Sequence, residues 1–92
     1  MLVEEEKILK FECTLEHIIF PKYAKEIKSG EFGIFKALIT KKIENTEYNE
    51  QVIKLKGICP HTVYGTTYKI YAKLADVHEL YGATYEIIYM SK

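Results

Sequence analysis

Apolar and polar side chains alternate along most of this chain. Leu9, Phe11, Cys13 and Leu15 are interleaved with Lys10, Glu12, Thr14 and Glu16, the two-residue period of a strand with one buried face. The period breaks at His17-Ile18-Ile19-Phe20, where consecutive apolar residues predict a bulge, a bend or burial on both faces. Small barrels need such corners. Pro21 ends the strand, and the Tyr23 and Ile27 pair predicts one or two helical turns within Lys22 to Ser29, with Gly30 as the left-handed stop.

Phe32 to Ile43 returns to strand, with Gly33, Phe35, Ala37, Ile39, Lys41 and Ile43 on one face and Ile34, Lys36, Leu38, Thr40 and Lys42 on the other. A polar hairpin loop follows at Glu44 to Asn49. Glu50 to Ile58 alternates again, Ile53 and Leu55 against Lys54 and Lys56, with Gly57 marking a bulge or close approach. After Cys59-Pro60 a short connection, His61 to Gly65, stands where longer barrels often place a helix. Thr67 to Leu74 points Tyr68, Ile70, Ala72 and Leu74 inward and Lys69, Tyr71 and Lys73 outward. A loop at Asp76 to Gly82 leads to a last strand, Ala83 to Met90, with Tyr85, Ile87 and Tyr89 on one face. This pattern predicts an all-β fold, a five-stranded OB-like barrel with at most one short helix. An SH3-like small barrel is the alternative. Closure would remove the exposed edges that invite aggregation.

Ninety-two residues allow one domain and one core, with Glu4 to Glu6 expected to lie in a frayed leader, residues 1–6. Eight tyrosines and four phenylalanines without tryptophan suit strands. The net charge is zero, from thirteen lysines, no arginine and thirteen acids, so no anionic partner is announced globally. Locally, residues 32–75 hold seven lysines against three acids. Uninterrupted apolar stretches such as Ile18 to Pro21 are far short of the roughly 20 residues of a membrane-crossing helix, and no membrane partner is expected. Two cysteines without a preceding signal-like segment point to the cytoplasm.

Three segments carry a family resemblance. Leu55-Lys56-Gly57-Ile58-Cys59-Pro60, Gly65 ahead of Tyr68-Lys69-Ile70-Tyr71-Ala72, and His78 with Tyr81-Gly82-Ala83-Thr84-Tyr85-Glu86-Ile87 resemble the amino-terminal OB-like domain of RecD-like (TraA-type) DNA helicases, over Phe32 to Tyr89. Gly57, Pro60, Gly65, His78, Tyr81 and Gly82 match that family's pattern, whereas Ala72 and Leu74 stand where it often has Gly and Trp. The matching residues are structural glycines and aromatics, which imply a fold more than a reaction. The resemblance implies an accessory domain, whether part of a longer helicase or a free-standing relative, working beside an ATP-binding motor. This sequence holds no G-x-x-x-x-G-K-[ST], so an ATPase is not expected in it.

Lysines along a backbone track, interleaved with aromatic faces, hold single-stranded nucleic acid. Lys69, Tyr71 and Lys73 make that combination on one strand face, and Lys54, Lys56, Lys36, Lys42, Tyr64 and Tyr81 extend it. Without arginine no bidentate base reading is expected, so the expected partner is single-stranded DNA, bound weakly and without sequence preference. The same side chains also suit a solvated sheet face. A rival function is a protein-interaction module packing on the helicase motor or a partner subunit, anchored by Tyr64, Tyr81 and Tyr89. Cys13-x-x-x-His17 and Cys59-x-His61 fit no usual zinc spacing, and Cys13 shares the phase of core residues Phe11 and Leu15. Cys59 with His61 or His78 lacks a nucleophile signature. No cofactor, metal or catalytic residue is expected.

Overall fold

The computed structural model describes residues 8–44, 52–78 and 82–92. Its strands are β1 (Leu9–Phe20), β2 (Glu26–Ile27), β3 (Phe32–Glu44), β4 (Val52–Ile58), β5 (Thr62–Val63), β6 (Thr67–His78) and β7 (Gly82–Ser91). Among the described residues there is no helix, and so none long and apolar enough to cross a membrane.

The alternation at the start of the chain sets β1. Leu9, Phe11, Cys13 and Leu15 are buried, and their outward neighbours are partly or fully exposed. The predicted break is a pair of register shifts. Leu15 opposes Ala37 but His17 opposes Lys36, so Ile18 swings inward opposite Phe35; the next shift turns Phe20 outward opposite Ile34. Each bulge bends the strand, letting β1 follow the barrel wall and pair with β3 on one side and β6 on the other.

The sheet closes in the order β1-β3-β4-β7-β6. All neighbours are antiparallel except β4 and β7, which pair parallel through Lys54 with Thr84, Leu55 with Tyr85 and Lys56 with Glu86. Counted in chain order, the five barrel strands therefore sit first, second, third, fifth, fourth. This is the OB-like small barrel that the alternation predicts. Its core is filled by Phe11, Phe35, Leu55, Tyr68 and Ile70, all almost inaccessible, and burying an aliphatic or phenyl side chain of this size contributes about 1.5–3 kcal/mol.

The remaining two strands pair with each other, Glu26 with Val63 and Ile27 with Thr62. The predicted helical turns at 22–29 give way to this arrangement because Ile27 is needed as a plug: it is fully buried and lies directly over Gly33, where an added Cβ would stand 2.6 Å from Ile27 Cδ1. Tyr23, with φ 65, turns the chain towards β2, and Gly30, with φ 86, occupies the left-handed position read for it. Tyr68 ties the small sheet to the barrel: the Val63 amide donates to its oxygen at 2.9 Å, and its hydroxyl donates to the His61 carbonyl at 3.2 Å.

Three readings of the carboxy-terminal half are corrected. Asp76 to His78 is strand rather than loop, since β6 pairs with β7 as far as His78 opposite Gly82. Leu74 is half exposed: it pairs with Tyr85 on β7 but lies beyond the last described pair of β6 with β1, Ala72 opposite Leu9. Tyr89 does not share a face with Tyr85 and Ile87: Tyr71 opposes Tyr89 and Ala72 opposes Ile87, so Ile88 is an inserted residue that turns Tyr89 outward. The 44–49 loop beyond Glu44, the leader at 1–6 and Tyr81 lie outside the described residues.

Candidate functional site

The lysines singled out from sequence fall on two separate parts of the barrel wall. Lys36, Lys54 and Lys56 stand on the outer face of β3 and β4, because Phe35, Ala37, Ile53 and Leu55 take the inward phase. Lys69, Tyr71 and Lys73 stand on the outer face of β6, which β7 separates from β4 and β1 separates from β3. The side chain of Lys42 lies outside the description.

The β6 group is surrounded by its own complements. Lys69 opposes Glu12 on β1, and Lys73 opposes Glu86 on β7. Tyr71 is half-buried, with the Lys10 ammonium 5.1 Å from its ring centroid and the Tyr89 ring centroid also 5.1 Å away, tilted by 49°. A ring so engaged offers little free face for a base. Tyr64 is also committed, its hydroxyl oxygen accepting from the Ile18 amide at 3.2 Å.

The β3–β4 group differs. Lys36 lies directly opposite Lys54, and His17 opposes Lys36 on its other side. Like charges placed directly across a pair of strands are destabilising. Among the described residues neither the Lys36 nor the Lys54 ammonium has an ion-pair or hydrogen-bond partner. Lys56, one row along, opposes Ile34 and Glu86 and reaches across β7 to Asp76, Nζ to Oδ2 3.2 Å. The result is a basic strip that Asp76 and Glu86 partly offset.

Two side chains that the sequence reading did not place on this face belong to it. Phe32, in phase with Ile34 and Lys36, opposes Ile58, and Phe20 opposes Ile34. Their rings lie 6.3 Å apart, and the two residues are 48% and 45% exposed for Phe20 and Phe32. Phe32 was legible from its even spacing to Lys36. Phe20 was not, because two bulges separate it from the regular part of β1.

The cysteine and histidine pairs do not converge: β3 stands between β1 and β4, and among the described residues no three metal-ligating side chains cluster. Cys13 is enclosed in the core, and burial pushes its thiol up to about 12. Cys59 is buried in the core cluster, donates to the Gly57 carbonyl at 3.4 Å and is pushed up to about 11 by the same loss of solvent, against a lowering hydrogen bond from Gly33. Both thiols hold their protons at neutral pH, whereas a cysteine nucleophile acts as thiolate.

Fold and surface together define an OB-like small barrel with a basic face on β3 and β4, where Lys36 and Lys54 have no ion-pair partner among the described residues. A scan against family models finds no match to the chain, and searches of curated proteins and of solved structures find no significant one.

Proposed function

We propose that this barrel holds single-stranded nucleic acid, DNA in the first instance, along the outer face of β3 and β4, as an accessory domain beside a RecD-like helicase motor. The observation that carries the reading is the direct opposition of Lys36 and Lys54, neither with a neutralising partner among the described residues. A local conflict of this kind, with no structural gain to offset it, is where function is expected. A phosphate backbone supplies the missing negative charge, and the contact is sequence-independent because lysine is a point charge. Titrating a labelled oligothymidylate at low and moderate salt tests it. Binding that weakens steeply with salt, and that weakens further on Lys36→Gln or Lys54→Gln, supports the reading; absence of binding at high protein concentration overturns it. The association with a motor rests on the residues quoted for the resemblance, and a P-loop motif encoded in the same open frame would support it.

A second reading, packing on a motor or partner subunit, is favoured by Leu74 and Val77, both exposed where β6 runs past its last described pair with β1. Val77→Lys would then abolish co-elution with that protein and leave oligonucleotide binding intact.

A further inference from the structure

We infer that Phe20 and Phe32 form a base-stacking platform at one end of the basic strip, flanked by Ile34 and Ile58, so that unpaired bases lie on the rings while their phosphates run along Lys36, Lys54 and Lys56. This deepens the nucleic-acid reading above and rests on it. The rings are not part of the core: they face outward from β1 and β3, in mutual contact and about half exposed, and Ile58, opposite Phe32, is 62% exposed. Contiguous exposed apolar side chains on a small barrel mark a binding surface. The chemistry of the occupant follows from what adjoins them. Lys56 neighbours Ile34, and Lys36 and Lys54 lie one row further along the same strands, before Leu38 and Val52, so a ligand with a planar apolar group at the ring end and anionic groups along the lysines matches the face.

Spacing fits the same ligand. Phe32 and Lys36 are four residues apart on one strand face, about 13 Å at roughly 3.3 Å per residue. A single strand with its bases splayed onto aromatic rings covers that length with a few nucleotides, at the short end of the site sizes known for OB barrels. Three residues after Phe20, Tyr23 is almost fully exposed in the turn that follows Pro21, with the Lys22 ammonium 5.2 Å from its ring centroid. In contrast to Tyr71 on β6, the two phenylalanines carry no lysine over their rings among the described residues.

The test compares two labelled ligands of equal length at low salt, oligothymidylate and an abasic deoxyribose-phosphate oligomer that keeps the phosphates and lacks the bases. The wild-type chain should favour the thymidylate by a factor of about 5 to 150, the value of one stacked base. Phe20→Leu/Phe32→Leu should erase that preference while keeping the affinity for the abasic oligomer and the slope of affinity against salt. Because the chain has no tryptophan, Phe32→Trp adds a single reporter whose emission should be quenched by thymidylate and not by the abasic oligomer. Equal wild-type affinity for both ligands, or a preference that survives the double substitution, overturns the platform and leaves the basic strip standing. Binding of neither ligand overturns both.

Discussion

Removing one positive charge from the Lys36–Lys54 pair should stabilise the barrel while weakening its hold on nucleic acid. The two residues are direct cross-strand partners, a geometry that puts Cβ atoms about 5 Å apart. If the flexible side chains splay to roughly 8 Å, two unit charges in water repel by about 0.5 kcal/mol. Lys36→Gln keeps the length of the side chain and removes that term. For a domain of this size about 1 kcal/mol moves the melting temperature by about 4–8 °C, so a rise of about 2–4 °C is expected in a low-salt calorimetric scan. Lys54→Gln should give a similar rise, and the double substitution should give little more than either alone, because one charge suffices to end the repulsion. At about 1 M salt, where the screening length falls to about 3 Å, the gain should vanish. In the binding titration each single substitution should reduce the slope of log affinity against log salt by about 0.7, the value of one phosphate contact on a single strand. Additive stability changes, or a melting temperature that falls with either substitution, would show that the two ammoniums do not oppose one another and would remove the main support for a ligand-facing role.

The scaffold makes three further predictions. Tyr68→Phe leaves the Val63 amide without its acceptor and should cost about 1–3 kcal/mol, read as a lower urea midpoint at unchanged slope; a neutral result would mean that Tyr68 does not clasp β5 to the wall. Gly33→Ala drives a methyl into Ile27 and should destabilise by about 1–3 kcal/mol as overpacking, with Ile27→Val partly rescuing it; failure of rescue would place the strain elsewhere. Cys13 and Cys59 are held protonated in the fold, at about 12 and about 11 against an ordinary 9.0. The unfolded chain releases those protons first, so their contribution is complete below about pH 9 and is lost as pH rises towards 11 and 12. Urea midpoints should therefore fall between pH 9 and 11 more steeply in the wild-type chain than in Cys59→Ala, and a thiol reagent at pH 8 should react only on unfolding.

Most of the barrel is legible in the sequence because one face of each strand must be apolar. Leu9 to Leu15, Ile53 with Leu55, and Tyr68 to Ala72 announce the core by a period of two, and the structure buries them. What escapes is whatever depends on pairing between distant segments. The plug of Ile27 over Gly33 requires β2 to meet β5, and a local reading of Lys22 to Ser29 sees only spacing that also suits a helical turn. The inserted Ile88 that turns Tyr89 outward is visible only against β6. The same reason explains the site. Lysine and tyrosine are interleaved most cleanly within β6, so a strand read alone points to Lys69, Tyr71 and Lys73. Whether a charge is available is decided by its neighbours across the sheet, and these give Lys69 a glutamate, give Tyr71 a lysine and a second tyrosine, and give Lys36 another lysine and a histidine. The cross-strand register therefore shifts the weight of the nucleic-acid reading from β6 to β3 and β4, and Phe20 and Phe32 stand at the end of that strip.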